Sequence, residues 1–164
     1  TGPDDTLPGT QSAYFLRAGE GPRHVLFGEV AFQLMTGAES AGQLGMTVTE
    51  GPRGPAVPTH VHERTYEAIY CLDGRLLITL DGEDHLLTRG DFVSIPAGVE
   101  HTYAIDAHLT RFASMYGPAG VERFYEVAGL VAEERIFPEQ SEPVERERIA
   151  AAVAAAGLDI AFVG

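Results

Sequence analysis

Two histidines separated by one residue, His60 and His62, fall on the same face of any strand that carries them, because strand side chains alternate with period 2. Two imidazoles so placed can meet one ion. Glu67 follows five residues later, an odd offset that would point it away if the strand ran straight. A turn at Glu63-Arg64-Thr65 resets the phase. The next strand then carries Glu67, Ile69 and Cys71 inward and Ala68, Tyr70 and Leu72 outward. A fourth donor, His101, comes from far along the chain, after the turn Ile95-Pro96-Ala97-Gly98. Three imidazoles and a carboxylate suit one divalent transition metal (iron, manganese, cobalt, nickel, copper or zinc) and not calcium or magnesium, which prefer oxygen alone. Ligand type does not select among the transition metals.

These residues need rigid elements to hold them. Glycines and prolines punctuate short apolar runs rich in Val, Ile, Leu, Phe and Tyr, the rhythm of an all-β sandwich or barrel. The spacing predicts strands at about 24–35, 43–49, 57–62, 66–72, 75–81, 84–88, 91–95, 100–105 and 109–116. Leu72-Asp73-Gly74-Arg75 and Leu80-Asp81-Gly82-Glu83 each place Asp-Gly between apolar runs, so both read as type I′ hairpins. The last part changes character. Gly120–Gly129 has helical spacing, with Val121, Phe124 and Val127 or Ala128 on one side. A second helix is expected at about 142–156, with Ser141 as N-cap, Pro143 in the first turn and Gly157 just past the end.

The 164 residues are near the usual size of one domain. One domain over 1–164 is expected, with a barrel core at about 24–116 and a helical extension at about 118–157. Acidic residues outnumber basic ones 24 to 11 and lysine is absent, giving a net charge of -13 that repels phosphate backbones. No apolar run approaches the roughly 20 residues of a membrane helix. Cys71 is the sole cysteine and forms no intrachain disulfide. The stretch TGPDDTLPGT lacks the charged and apolar regions of a signal peptide. No nucleic-acid or membrane partner is expected, and the cytoplasm is the expected compartment.

From Gly54 to Gly74 the chain resembles the first cupin motif position for position, through Gly54, His60, His62, Glu67 and Gly74. From Gly90 it resembles the second, through Gly90, Pro96, Gly98 and His101. One departure is Ile105, where the pattern usually has Asn. That position is not a ligand. The resemblance implies a double-stranded β-helix, or jelly-roll, barrel with short C-terminal helices. The stretches Ala13–Gly21, Val57–Gly74, Gly90–Tyr103 and Gly120–Gly129 are also similar to quercetinases, the flavonol 2,4-dioxygenases. That likeness implies His60, His62, Glu67 and His101 as metal ligands. It implies Glu67 also as the catalytic base that deprotonates a flavonol hydroxyl, before O2 opens the ring with loss of carbon monoxide.

Other residues are read more plainly. Phe27, Met46, Tyr103, Phe112, Met115 and Phe124 are candidates for an apolar barrel mouth, although most read better as plain barrel core. Tyr66 is expected to pack under a loop, Cys71 to act as a small buried hydrophobe, and His24, His85 and His108 to be solvated. The expected function is a metal-dependent dioxygenase of quercetinase type with a small aromatic substrate and O2. A redox-neutral metal-dependent enzyme and a non-catalytic small-molecule binder are the alternatives. A homodimer is expected, since an open sheet edge otherwise invites uncontrolled association.

Overall fold

The structure is a computed structural model and describes residues 7–132 and 145–164. In chain order its elements are β1 (Arg23–Leu26), β2 (Glu29–Met35), α1 (Gly37–Ser40), β3 (Gly45–Gly51), β4 (His60–Val61), β5 (Tyr66–Asp73), β6 (Arg75–Leu80), β7 (Glu83–Thr88), β8 (Phe92–Ile95), β9 (His101–Ile105) and β10 (Thr110–Gly117). A 3₁₀ turn (Val121–Arg123) then leads into α2 (Phe124–Ala128), β11 (Leu130–Val131), α3 (Arg146–Ala156) and β12 (Ala161–Phe162). The strands form two antiparallel sheets, one ordered β11-β1-β2-β3-β10-β5-β8 and the other β12-β4-β9-β6-β7. Ile69, Cys71, Ile95 and Phe112 of the first sheet pack against Leu76, Ile78, Leu87 and Ile105 of the second. Each such side chain contributes about 1.5–3 kcal/mol by leaving water. This is the all-β, two-sheet barrel expected from the spacing.

Turn chemistry separates the two Asp-Gly sites. Asp81 and Gly82 both have positive φ, 46° and 82°, and join β6 to β7 with Leu80 opposite Glu83, a two-residue hairpin as expected. Asp73-Gly74 is not a hairpin. The strand before it pairs with β10 and β8, whereas the strand after it pairs with β7 and β9, so the chain changes sheets there. Only Gly74 of the pair has positive φ, 86°. A Cβ on it would lie 2.4 Å from Thr110 Oγ1 and 2.6 Å from Leu109 O. Glycine therefore serves a corner pressed against the start of β10.

Four more expectations need correction. The single strand at 24–35 is broken by a hairpin at Phe27-Gly28, whose φ values of 57° and 76° come without an Asn or Asp to announce them. The strand at 57–62 contracts to His60–Val61. Pro55 and Pro58 cannot donate to a ladder, and isolated bonds, Gly54 N–H to Ile105 O, Val57 N–H to Tyr103 O and the Thr102 hydroxyl to Val57 O, tie this segment to β9. Helix α3 begins at Arg146 with Glu145 at the N-cap and ends at Gly157, whose φ of 68° is left-handed. The expected Ser141 cap and Pro143 lie outside the described residues. The stretch from Gly120 forms the 3₁₀ turn and α2 in place of one helix, with Val121 and Ala128 buried.

Candidate metal centre

Strand pairing brings the histidines together. His60 and His101 are direct cross-strand partners in β4 and β9, with ring centroids 4.3 Å apart. His62 stands 5.1 Å from each. One nitrogen from each ring lies within 4.8 Å of the others. Glu67, early in β5, comes from the opposite sheet, so the group bridges both layers. Its Oε2 is 3.3 Å from His101 Nε2 and its Oε1 is 3.9 Å from His62 Nε2. All four side chains named from the spacing are gathered at one place.

Each imidazole is oriented from behind. Nδ1 of His60 faces Pro58 O at 2.9 Å, that of His62 faces Asp159 O at 2.7 Å, and that of His101 faces Val99 O at 3.0 Å. Carbonyls only accept, so all three Nδ1 atoms carry the proton and each Nε2 keeps a lone pair. Nε2 of His62 and of His101 are buried and have no hydrogen-bond partner among the described residues. A buried polar atom left this way costs about 1–3 kcal/mol. Convergent nitrogen lone pairs beside a carboxylate are a set that a transition metal would satisfy.

The turn between His62 and Glu67 is held by a residue that spacing did not reveal. The Asp159 carboxylate accepts from the Glu63 and Arg64 backbone N–H groups at 3.0 and 2.8 Å, and from the Thr65 hydroxyl at 2.8 Å. Its own carbonyl meets His62. The following strand, β12, pairs Phe162 with His60 and Ala161 with Val61. The end of the described chain thus clamps the segment that resets the phase between His62 and Glu67.

Charge at the site follows from burial and crowding. Burial, then the neighbouring His101, lowers His60 to about 4, and burial also lowers His62. Burial alone would raise Glu67, but the imidazoles, His101 foremost, outweigh it and hold the carboxyl below its usual range. Burial likewise opposes protonation of His101, but Glu67 outweighs it and raises that histidine. Tyr116 is the cross-strand partner of Glu67. Burial, then the charge of Glu67, pushes its phenol well above the ordinary value, so it stands beside Glu67 as a neutral hydroxyl.

Comparison with known proteins agrees with this geometry. Residues 46–110 match the family described as the cupin domain, a span that contains all four residues. The matched span is a cupin domain. It is 41% identical over 160 residues to a quercetin 2,3-dioxygenase of Bacillus subtilis, covering 96% of this chain and 47% of that protein. It is 28% identical over 105 residues to one from Aspergillus japonicus, covering 60% and 30% respectively. The chain therefore spans about half the length of the Bacillus relative or less of the fungal one. Among solved structures it is similar to KdgF from Halomonas sp. (TM-score 0.59, 19% identity, 66% of this chain and 96% of that one). An RmlC-like cupin from Shewanella frigidimarina is also similar (TM-score 0.57, 20% identity, 67% and 95%). At those identities the likeness concerns the fold.

In this cupin His60, His62 and Glu67 line a cavity that opens to solvent. Of the six mouth candidates, Phe27, Tyr103, Phe112 and Phe124 line it. Met46 and Met115 do not. They are cross-strand partners whose neighbours Thr47, Ser114 and Tyr116 take the inward positions, so alternation sends both methionines outward. Tyr66 is 57% exposed, with no loop covering it among the described residues, whereas Cys71 is buried as expected. His24 is buried, not solvated, because β11 and α2 cover β1. His85 and His108 are exposed. Ile105, at the position of the departure from the family pattern, fills the core.

The cavity also holds a second polar group that spacing did not single out. Glu29 Oε2 accepts from Tyr103 Oη at 2.7 Å and from Tyr125 Oη at 2.6 Å. Burial raises Glu29 to about 7 against the two phenols, which act to lower it.

Two predictions follow from these contacts. Asp159→Asn keeps the carbonyl bond to His62 but replaces an acceptor at the turn by a donor. Metal affinity, measured by competition with a chromophoric chelator, falls about 10- to 100-fold; an unchanged affinity would show that the turn holds without the carboxylate. Because Glu29 is raised from 4.5 to about 7, its folded state binds the proton more tightly than the unfolded chain. That stabilisation is complete below pH 4.5 and is lost as pH rises to 7. In urea unfolding, wild type loses up to roughly 3 kcal/mol relative to Glu29→Gln across this window; parallel pH curves would contradict it.

Proposed function

We propose that this cupin is a metal-dependent dioxygenase of quercetinase type, opening a flavonol or a related enolisable aromatic compound with O2. The observation that carries the proposal is the position of buried imidazole nitrogens, without a hydrogen-bond partner among the described residues, beside Glu67 at a largely aromatic cavity. Its support is the 41% identity to a quercetin 2,3-dioxygenase over nearly all of this chain. His60, His62, His101 and Glu67 would hold one transition metal. The metal, when bound, supplies a Lewis acid that makes an enolic hydroxyl easier to ionise.

The chain's own residues supply the rest. Glu67 is held as a carboxylate by its imidazole neighbours, so it can take the enol proton on one oxygen. The neutral Tyr116 hydroxyl beside it is placed to receive a hydrogen bond from that acid once formed. Phe27, Phe112 and Phe124 present ring faces and edges that keep water out and orient a flat substrate. In the overall reaction both atoms of O2 enter the products, two ring bonds of the substrate break, and one carbon leaves as carbon monoxide. Pairing of two chains belongs to the same proposal. β11 forms a sheet edge with Leu130 and Val131 exposed, and sedimentation of the purified chain as a monomer would remove it.

The deciding experiment follows oxygen uptake and carbon monoxide release with quercetin. The protein is reconstituted separately with iron, manganese, cobalt, nickel or copper, each beside Glu67→Gln. Wild type with its working metal consumes oxygen and releases carbon monoxide, and the variant loses about 100- to 10,000-fold of that rate. Metal occupancy without oxygen uptake would turn the assignment toward redox-neutral chemistry or ligand binding.

A further inference from the structure

Glu29, Tyr103 and Tyr125 come from three separate elements. Glu29 begins β2, Tyr103 lies in β9 and Tyr125 in α2, and the three oxygens meet at one point. Both phenols donate to the same carboxylate oxygen and their hydroxyls also touch each other. Tyr103 and Tyr125 both line the cavity that contains His60, His62 and Glu67. Around them the wall is apolar, formed by Phe27, Val57, Phe112, Val121 and Phe124. Burying a carboxylate here costs stability that an aliphatic side chain would not. A few converging polar groups in an apolar cavity are what fix the orientation of a small ligand.

Strand geometry sets the distance from the histidines. Tyr103 follows His101 by two residues in β9, so the two side chains leave the same face about 7 Å apart along the strand. That separation is on the order of one aromatic ring beyond the group facing the histidines. Donor and acceptor capacity sets the chemistry. With their protons committed to Glu29, the two phenols keep lone pairs, so a group arriving from the cavity meets acceptors and must donate. A hydroxyl on an aromatic ring does so while leaving the ring among the phenylalanines.

We propose that Tyr103, Tyr125 and Glu29 form a second polar subsite of the cavity, which takes a ring hydroxyl at the end of the ligand remote from the histidines. The inference rests on the flavonol reading for the ligand but not for the site. Tyr125 and Tyr103 contact the ligand, and Glu29 acts through them by orienting both hydroxyls.

The test measures anaerobic binding to the metal-loaded chain of 3-hydroxyflavone and of 3,4′-dihydroxyflavone, which differ by one hydroxyl on the remote ring. Wild type binds the dihydroxy compound about tenfold more tightly. In Tyr125→Phe, which keeps the ring and removes the oxygen, the ratio falls to about one, and Tyr103→Phe serves as a second variant read in the same way. Equal affinities in wild type, or a ratio that survives both variants, would overturn the subsite and leave the flavonol reading intact. Binding of neither compound removes the flavonol reading instead. The pair p-cresol and toluene, followed by ligand-observed NMR on the metal-free chain, then decides the subsite alone. Preference for p-cresol lost in Tyr125→Phe supports it, and parity of the two ligands overturns it.

Discussion

Three imidazoles can offer lone pairs to a single point only when each ring is prevented from turning its protonated nitrogen inward. Here the restraint is a main-chain carbonyl behind every ring: Pro58 for His60, Asp159 for His62 and Val99 for His101. Two of those carbonyls sit two residues before the histidine they hold, so the local backbone orients the ring. The third comes from 97 residues away. Because the rings are fixed in this sense, their Nε2 atoms converge beside Glu67, and the neighbouring imidazoles, His101 foremost, hold its carboxyl below the usual range against the effect of burial.

The chain past α3 acts as part of the site and not as an appendage. Gly157 ends the helix in a left-handed turn and sends Asp159 across the turn at Glu63-Arg64-Thr65. Ile160 and Phe162 then line the cavity. The same segment packs with Leu26, Ala128, Ile149 and Val153 in a second apolar cluster. Docking of α3 and correct spacing of the metal loop are thereby coupled: what stabilises one stabilises the other.

Strand β9 gathers the consequences of alternation into one row. His101 faces the metal site, Tyr103 the cavity and its second polar group, and Ile105 the core. Isoleucine can occupy the place where the family pattern has asparagine because that step of the row is already past the cavity. The cavity is therefore polar at His60, His62 and Glu67 and polar again at Tyr103 and Tyr125, which Glu29 holds from behind, with phenylalanines and aliphatic side chains forming much of the remaining wall.

What the sequence determined by itself was local: residue type, period and turn chemistry. His60 and His62 at a spacing of two, the phase reset before Glu67, the Asp81-Gly82 hairpin and the inward run of Glu67, Ile69 and Cys71 all follow from alternation over a few residues. The two-sheet class follows from the rhythm of short apolar runs. Tertiary structure alone decided which sheet each strand joined, and so made Asp73-Gly74 a corner where its residues read as a hairpin. It also decided that Asp159 holds the metal loop and that Glu29 meets two tyrosines. The physical reason is that these contacts join residues 74 to 97 positions apart. No period or motif records such a pairing, because each partner satisfies its own local rules whether or not the other is there.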